Sequence, residues 1–341
     1  MVDSVIKVNN LRKYFKVLNR REGFWSTVKD LFSQDYFYVK AVDGISMEIK
    51  EGEIVGFLGP NGAGKSTTIK IMTGVLEPDG GEVLINNVIP YKDRIKNAKN
   101  IGVVFGQRTQ LWWSLPLIES FKILKEIYEI DERTFKENLE LFEEIIGIEA
   151  LYRKPVRQMS LGQRVLCDIL ASFLHNPKVV FLDEPTIGLD ILIKDKVRKL
   201  IKELNRRKNT TILLATHDMN DVEALCPRII VIDKGKIIYD GLLEDLKEKF
   251  KMYRKAKIRV GDNVDEEEIN KIKLLLLEKF NDVISDCAIK SYWLDISFKK
   301  QDVNLLEILR FITNFIPIED IHTEDIQTEE VIKLIYEESR K

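Results

Sequence analysis

The stretch IVGFLGPNGAGKSTT, residues 54–68, decides the fold of this chain. It opens with an apolar run of strand length, Ile54–Leu58, and continues from Gly59 in the pattern GxxxxGK followed by Ser66. Glycines let the backbone turn tightly and direct successive amides at phosphate oxygens, and a following helix adds donors and a favourable partial charge. The stretch therefore predicts a phosphate-binding loop between a buried parallel strand and a helix that begins near Ser66.

Two side chains of this loop carry chemistry. Lys65 is expected to reach the β- and γ-phosphates of a nucleotide, and the hydroxyl of Ser66 is expected to bind Mg²⁺. The remaining contacts of the loop with the nucleotide are expected from Gly59, Pro60, Asn61, Gly62, Ala63, Gly64 and Thr67.

Two adjacent acids follow another apolar strand, Val179–Leu182. Asp183 is expected to hold Mg²⁺ directly or through a water, and Glu184 can polarise an attacking water as a general base. Paired acids after a strand more often form a solvated turn. The phosphate-binding loop earlier in the chain makes the catalytic interpretation the stronger one.

Two more segments, Ile101–Phe105 and Thr211–Ala215, are also typical of buried parallel strands. The second runs into Thr216-His217-Asp218, at the end of a strand where ligands bind in such sheets. Residues 109–176 carry apolar positions at helical spacing and predict a helical subdomain.

Alternating segments outside the parallel sheet predict an antiparallel β subdomain: Val5–Asn9, Ala41–Ile49 and Glu82–Ile85. The first two are separated by an insertion, residues 17–38. In it, apolar residues recur at helical spacing and predict a short amphipathic helix: Phe24, Trp25, Val28, Leu31 and Phe32. Whether this helix packs on its own domain or contacts a membrane surface or a partner stays open.

The pattern of predicted strands and helices changes after a first domain of residues 1–241. Residues 242–256 predict a linker helix, and residues 257–341 follow the order βαββαβ with a terminal helix. This order predicts a small α+β accessory domain of the ferredoxin-like kind. It carries no catalytic motif, and its one histidine, His322, is expected to be a surface or packing residue.

Composition and charge exclude several classes of protein. The 341 residues include 53 Lys and Arg against 55 Asp and Glu, a formal net charge of −2, so nucleic acid is not an expected partner. The three cysteines, Cys167, Cys226 and Cys287, lie far apart and suggest reduced thiols in an intracellular protein. No apolar run approaches the ~18 residues that span a bilayer, so we expect membrane association only through a partner or a surface helix.

Further segments carry a family resemblance. Met159-Ser160-Leu161-Gly162-Gln163, about 20 residues before the acidic strand, resembles the LSGGQ signature of ATP-binding cassette proteins. Gln107 resembles the Q-loop of that family, Gly188-Leu189-Asp190 its D-loop and His217 its switch histidine. The resemblance covers residues 1–245 or so. It implies an α/β fold with a P-loop NTPase core. The antiparallel and helical subdomains and the ferredoxin-like domain, predicted from the strand and helix patterns, are added to this core.

The resemblance also implies ligands and roles. ATP and Mg²⁺ would bind between two head-to-tail cassettes, so that Ser160 and Gly162, with Gln163, contact the nucleotide of the partner cassette. Gln107 would sense Mg²⁺ and the attacking water, and Asp190 would communicate across the dimer. The implied catalytic set is Lys65, Glu184 and His217, and the implied metal set is Ser66, Gln107 and Asp183.

The resemblance places an aromatic residue on the adenine ring. Phe15 fits by counting from the N-terminus, and the insertion leaves Tyr14, Tyr36 and Tyr38 as alternatives. Two departures from the signature are expected to be tolerated. Leu161 replaces a glycine that makes no phosphate contact of its own, and Met159 replaces a leucine of similar volume.

Two adjacent tryptophans, Trp112 and Trp113, follow the Q-loop segment where the family faces its transmembrane partner. They predict either an interface anchor or a buried internal role. The run from Gln107 to Pro116, together with SLGQR and DEPTIGLD, resembles the branch of drug, daunorubicin and viologen exporters.

The expected function is therefore that of an ATPase subunit of a membrane exporter, acting as a homodimer in its ATP-bound state. Its permease would lie on separate chains, and the subunit would be cytoplasmic and peripheral at the inner face of the cell membrane. The alternative is a soluble ATP-gated cassette protein that acts on ribosomes or DNA.

Overall fold

The computed structural model describes residues 4–18, 36–106, 109–250, 253–261, 264–281, 283–299, 303–325 and 328–339. The chain divides into two compact units, Met1–Gly241 and Leu242–Lys341. The strands of the first unit are β1 (Ser4–Leu18), β2 (Tyr36–Lys50), β3 (Ile54–Leu58), β4 (Gly80–Ile85), β5 (Ile101–Phe105), β6 (Val179–Asp183), β7 (Thr211–Ala215), β8 (Arg228–Asp233) and β9 (Lys236–Leu242).

The predicted parallel sheet is present. Its six strands lie in the order β5-β6-β7-β3-β8-β9, and the first five run parallel. β3, β6 and β7 are almost completely buried, because one face of these strands shares an apolar cluster with β1, β2 and β4 and helices also pack on the sheet. This burial explains their continuous apolar sequences.

The helices of the first unit surround this sheet or form the helical subdomain. They are α1 (Lys65–Met72), α2 (Arg94–Asn100), α3 (Leu117–Ile127), α4 (Glu132–Ile146), α5 (Glu149–Tyr152), α6 (Leu161–Phe173), α7 (Ile191–Lys208) and α8 (Met219–Leu225). α1 begins one residue before the predicted start. In α3, Phe121 and Leu124 are buried, whereas Ile127 at the helix end is 57% exposed.

A second sheet contains three antiparallel strands in the order β2-β1-β4. β1 and β2 are longer than predicted, because β1 continues past a register shift near Asn10, which has φ +46° and interrupts the alternation. Leu18 pairs with Tyr36, so residues 17–18 and 36–38 belong to strands and not to the insertion. The amphipathic helix predicted between them lies outside the described residues.

The second unit contains α9 (Leu243–Phe250), β10 (Tyr253–Val260), α10 (Glu266–Lys279), β11 (Ile284–Lys290), β12 (Trp293–Lys299), α11 (Leu305–Thr313), β13 (Ile318–Asp325) and α12 (Thr328–Glu338). Its antiparallel sheet has the order β11-β12-β10-β13. This is the ferredoxin-like order with an added helix at each end.

The predicted linker helix is shorter than expected. α9 ends at Phe250, and residues from Tyr253 onward form the first strand of the sheet. α9 packs against α12 within the second unit, so it is part of that unit's fold. Among the described helices of either unit, none combines the length and the apolar content that crossing a bilayer requires.

The order β6-β7-β3 brings three strand ends together. β3 leads into Gly59 and the phosphate-binding loop, β6 ends at Asp183, and β7 leads into Thr216 and His217. Asp183 pairs in register with Ala215 on one side and with Phe105 on the other. Because parallel strands place their carboxyl ends on one edge, residues far apart in sequence meet there.

Candidate active site

Lys65 is enclosed by its own loop. It is the first residue of α1, and only 7% of it is exposed. Its Nζ donates hydrogen bonds to the carbonyl oxygens of Gly59 (2.5 Å) and Pro60 (3.3 Å). Burial lowers the pKa of the Lys65 ammonium, and the carboxylates of Glu184 and Asp183 oppose that shift. The loop thus surrounds a cation, as a phosphate-binding loop requires.

Gly64 shows why this loop accepts no side chain at its base. It has φ +110°, and a Cβ would lie 2.2 Å from the carbonyl oxygen of Ala41 in β2. α1 follows directly, with no acidic residue in its first turn to compete for an anion. A tight loop, a buried lysine and a helix N-terminus together fit the phosphates of a nucleotide.

Ser66 and Asp183, two of the residues predicted to bind Mg²⁺, lie together on one cavity at the end of β6. Their side chains are hydrogen-bonded to each other across the end of β6. Burial raises the pKa of the Asp183 carboxyl, and the bond from Ser66 opposes this shift. Hydroxyl and carboxylate oxygens suit Mg²⁺. Within the described ranges, no group of three or more His, Cys, Asp or Glu is placed to hold a metal ion.

Glu184 and His217 are brought into contact, although they lie 33 residues apart in the sequence. Nδ1 of His217 lies 2.8 Å from Oε1 of Glu184. The amide of Glu184 donates to the carbonyl of Ala215 (2.8 Å), which fixes the turn after β6 to the end of β7. The Glu184 side chain is 21% exposed, so a water can reach it. A carboxylate oriented by an imidazole in this way can act as a general base.

The signature segment forms the N-terminus of α6. Ser160 is its N-cap, and its Oγ accepts a hydrogen bond from the amide of Gln163 (3.2 Å). Oε1 of Gln163 accepts in return from the amide of Ser160 and from Nζ of Lys154, both at 3.1 Å. The first amides of α6, including that of Gly162, point out of the helix end, where they can meet an anion. The Gln163 side-chain oxygen therefore makes its hydrogen bonds within the helical subdomain, with Ser160 and Lys154.

Gly162 packs closely against α7, the helix that follows the D-loop segment 188–190. A Cβ on Gly162 would lie 2.6 Å from Cγ2 of Ile193 in α7. Asp190 is the N-cap of α7, and its Oδ1 accepts a hydrogen bond from the amide of Ile193 (3.0 Å). Asp190 itself is exposed, which leaves its second carboxylate oxygen accessible at the surface.

A buried network connects the turn after β6, α7 and α8, and the sequence did not reveal it. Asp221 of α8 is fully buried and accepts hydrogen bonds from Oγ1 of Thr186 and from Nε of Arg198 (2.7 Å). Nearby, Nζ of Lys194 lies 2.5 Å from a carboxylate oxygen of Asp218, the residue after His217. The network fixes the segments that carry Glu184 and His217 to one helix.

Phe15 lies on the β1–β2 hairpin that borders the phosphate-binding loop at Ala41. It pairs with Val39 of β2, two residues before Ala41, whose carbonyl abuts Gly64. The Phe15 side chain is 39% exposed and can receive a flat ring.

The three tyrosines that the sequence left as alternatives have different surroundings. The hydroxyl of Tyr14 donates to Oδ1 of Asp43 (2.7 Å), and the ring of Tyr36 lies 3.8 Å from Nζ of Lys16. Tyr38 is 65% exposed, and it pairs with Lys16, one position farther along the hairpin than Phe15.

Gln107 lies outside the described residues, so its predicted role is not placed. The amide of Gly106, the last described residue before Gln107, donates to the carbonyl of Asp183 (2.8 Å) at the end of β6. Trp112 and Trp113 are 37% and 50% exposed, so neither has the buried internal role that was one alternative.

Asp168 is a second residue that the motif search missed. Oδ1 of this α6 residue accepts hydrogen bonds from Thr109 Oγ1 (2.9 Å) and the amide of Gln110 (3.0 Å). Burial raises the pKa of Asp168 to about 6, against the effect of both hydrogen bonds and of Arg164. Its signal in the sequence is a single acid within the otherwise apolar run VLCDIL.

The sheet, the loop around Lys65 and the acids at the end of β6 define a nucleotide-hydrolysing P-loop protein. A family model described as ABC transporter matches residues 42–187. The ABC transporter ATP-binding protein NatA of Bacillus subtilis is 35% identical over 210 residues, which cover 62% of this chain and 85% of NatA. The chain belongs to the family of ABC transporter ATP-binding proteins.

Other relatives are named for different roles, one for resistance and one for import. The linearmycin resistance ATP-binding protein LnrL of Bacillus subtilis is 33% identical over 205 residues, 60% of this chain and 65% of LnrL. The methionine import ATP-binding protein MetN of Carboxydothermus hydrogenoformans is 32% identical over 212 residues, 61% of this chain and 63% of MetN.

Solved structures of ATP-binding cassettes have a fold similar to that of this chain. The cbiO1 subunit of the Clostridium perfringens ABC transporter complex cbiONQ has a TM-score of 0.59 and 28% identity, over 82% of this chain and 98% of cbiO1. A dimeric post-hydrolysis state of the ATP-binding cassette MJ0796 with ADP and Pi has a TM-score of 0.56 and 26% identity, over 70% of this chain and 98% of MJ0796. This chain is accordingly an ATPase that uses ATP with Mg²⁺, in a family whose members dimerise and work with transmembrane permease subunits.

Proposed function

We propose that this chain is the ATP-hydrolysing subunit of a membrane exporter whose permease is carried by separate chains. The observation that carries this proposal is the exposed pair Trp112 and Trp113. Adjacent large apolar side chains at a polar surface are typical anchors for a protein partner. The resemblance of the surrounding run to exporter ATPases and the resistance protein among the relatives favour export over import.

The tryptophans stand on a fixed backbone, which suits a docking surface. The amide of Trp112 donates to Oγ of Ser120 (3.2 Å), and the carbonyl of Trp113 accepts from the amide of Arg157 (2.9 Å). The ring of Trp113 lies 5.0 Å from the guanidinium of Arg164. A partner that covers this surface therefore loses little side-chain or backbone freedom on binding.

The nucleotide is proposed to lie along the edge where β3, β6 and β7 end. Phe15 stacks on the adenine ring, the loop amides from Gly59 to Thr67 surround the phosphates, and Lys65 neutralises their charge. Ser66 and Asp183 hold Mg²⁺, with Gln107 as a further contact. Bound Mg²⁺ supplies positive charge that stabilises the phosphate oxygens during transfer.

The hydrolytic step is proposed to use Glu184 and His217. Glu184 accepts a proton from the attacking water, and His217 keeps the carboxylate in position through the 2.8 Å contact. The left-handed backbone at Glu184 and the hydrogen bond from its amide to the carbonyl of Ala215 orient the side chain before ATP binds.

The second half of each site is proposed to come from another copy of this chain. Ser160, with the exposed amides at the start of α6, is presented at the surface for a γ-phosphate held by a partner cassette. Asp190 lies at the adjacent start of α7 and communicates between the two sites. The homodimer is cytoplasmic and peripheral at the inner face of the cell membrane, where its permease binds it.

The alternative, a soluble cassette protein acting on ribosomes or DNA, is not favoured. The relatives are named as transporter subunits, and the chain has a formal net charge of −2. A nucleic-acid surface needs clustered positive charge.

The proposal is tested by affinity capture of a Glu184→Gln variant from native cell membranes with MgATP. Removing the general base is expected to arrest the closed dimer, and a multi-spanning membrane protein is expected to co-purify. Adding Trp112→Ala and Trp113→Ala should lose the membrane protein but keep the ATP-bound dimer. Tyr292→Ala is the control, because Tyr292 is a 41% exposed aromatic of the second unit.

Recovery of ribosomes or DNA without a membrane protein would contradict the proposal. The direction of transport is tested in cells that carry only the Glu184→Gln variant. Export predicts greater sensitivity to at least one toxic compound in a growth panel, whereas a nutrient requirement would indicate import.

A further inference from the structure

One face of α6 contacts the segment 109–113, which ends at the exposed tryptophans. Arg164 and Asp168 are four residues apart, so they lie one helical turn apart on the same face. Asp168 bonds to Thr109 and Gln110, and Arg164 lies against the ring of Trp113. The two side chains therefore contact both ends of the segment 109–113.

The contact of Asp168 with Thr109 and Gln110 is a buried, hydrogen-bonded junction. Only 6% of Asp168 is exposed, and both ends of Gln110 are used: its amide donates to Oδ1, and its Nε2 donates to the backbone carbonyl of Asp168 (2.9 Å). Oγ1 of Thr109, which donates to Asp168, accepts in turn from the amide of Leu111 (3.1 Å). A buried carboxylate with these partners fixes the backbone of the segment to the helix.

This junction borders the nucleotide site. A cavity of about 730 Å³ is lined by Asp168, Thr109 and Gln110 together with Ser66 and Asp183. The N-cap of the same helix is Ser160, about 12 Å from Asp168 at 1.5 Å per residue. α6 thus begins at the signature residue Ser160. Its contacts with the segment 109–113, through Arg164 and Asp168, lie within the next two and a half turns.

We propose that Asp168 is a positioning residue that couples the signature end of α6 to the segment 109–113. A displacement of α6 when ATP binds then moves this segment with it, because the segment is bonded to the helix and not only packed on it. The proposal rests on the proposed function, since it concerns the surface that we propose faces the permease.

The coupling can be separated from a simple packing role by the choice of substitution. Asp168→Asn keeps Oδ1 as an acceptor for both hydrogen bonds, whereas Asp168→Leu keeps the volume and removes the acceptor. Cys167→Ala is the matched control, because Cys167 is buried on the same helix and lies 4.0 Å from the sulfur of Met159 instead.

The test measures hydrogen exchange of the peptide covering residues 109–116 in the full chain, with and without MgATP, and the kinetics of ATP hydrolysis. In the wild type, MgATP is expected to slow exchange in this peptide. Asp168→Leu should abolish that response and lower kcat about tenfold, the rate equivalent of about 1.4 kcal/mol, with the KM for ATP unchanged. Asp168→Asn and Cys167→Ala should retain both properties.

Two results would overturn the proposal: no effect of MgATP on the peptide in the wild type, or an unchanged response and kcat in Asp168→Leu. If Asp168→Leu does not fold, Thr109→Val removes one donor without altering α6 and should weaken the response in the same direction. An unchanged response in Thr109→Val would then contradict the coupling. None of these measurements needs a permease, so their failure is distinct from failure of the capture experiment.

Discussion

Glu184 illustrates how a single residue is prepared for chemistry. It adopts φ +54°, a left-handed conformation that costs a residue with a side chain on the order of 1 kcal/mol or more. The strained conformation is maintained by two hydrogen bonds. The Glu184 amide donates to the carbonyl of Ala215, and the hydroxyl of Thr186, two residues later, donates to buried Asp221. The surrounding hydrogen bonds therefore hold the carboxylate beside His217 before any substrate binds.

His217→Ala is expected to lower kcat for ATP hydrolysis by about 100-fold, because Glu184 loses the group that orients it. The KM for ATP should change little, since Lys65 and the loop amides remain. Steady-state ATPase assays measure both constants. His322→Ala is the control, because His322 is exposed in the second unit. A His217→Ala enzyme with wild-type kcat would remove the histidine from the mechanism.

The buried acid Asp168 gives a prediction about stability and pH. Its pKa is raised to about 6 by burial, above the ordinary value of 3.8, so the folded state binds its proton more tightly than the unfolded state does. Ionisation of Asp168 therefore costs stability as pH rises from about 4 to about 6, and the cost stays constant above that range.

Asp168→Asn should remove this dependence. Relative to the wild type, the variant should gain up to about 3 kcal/mol between pH 4 and pH 7, because one pKa unit corresponds to about 1.4 kcal/mol. Urea unfolding followed by tryptophan fluorescence at several pH values measures the difference. A stability difference that stays the same at every pH would show that Asp168 does not titrate in this range.

Among the secondary-structure elements, α6 and α7 pack closely at their first turns. Gly162 lets Ile193 approach, and each helix carries its own N-cap there, Ser160 and Asp190. Both caps are exposed, so this crossing presents two helix N-termini side by side at the surface. The requirement for glycine at position 162 is thus a packing requirement and does not depend on a ligand.

Gly162→Ala is expected to destabilise the chain by about 1–3 kcal/mol through overpacking against Ile193, although alanine favours the helix more than glycine does. The double variant Gly162→Ala, Ile193→Ala should recover part of this loss, because the clashing methyl groups are gone. Thermal unfolding of both single variants and the double variant completes the cycle. Equal losses in Gly162→Ala and in the double variant would show that Ile193 is not the obstacle.

Across the whole molecule, the nucleotide residues and the ferredoxin-like sheet belong to different units. Every described site residue lies before Gly241, and the second unit has its own buried core around Ile258, Leu276, Leu294 and Ile308. Each unit therefore has the apolar interior that independent folding requires.

A chain that ends at Leu242 keeps β9 whole and removes the second unit from α9 onward. We expect it to fold, to bind ATP and to keep most of the basal ATPase rate, because no described site residue is lost. Circular dichroism, nucleotide binding and ATPase assays test this. Loss of ATP binding in a folded truncated chain would show that the second unit takes part in the site.

Much of this fold follows from local sequence. The bounds of β3, β5 and β7 are those that the apolar runs predict, because a strand buried on both faces has a continuous apolar sequence. The first hairpin was predicted too short, since its outer half is exposed on both faces and carries no alternation. The linker helix was predicted too long, because Tyr253 continues its helical spacing but pairs with Lys299 in a sheet.

The sequence by itself determined the phosphate-binding loop, the acids after β6 and the signature cap, because each depends on residues adjacent in the chain whose backbone chemistry is local. Only the tertiary structure decided which side chains meet. Glu184 contacts His217 across 33 residues, and Asp168 binds Thr109 across 59. Such contacts depend on strand order and helix packing, and burial then sets the charge and orientation of the groups involved.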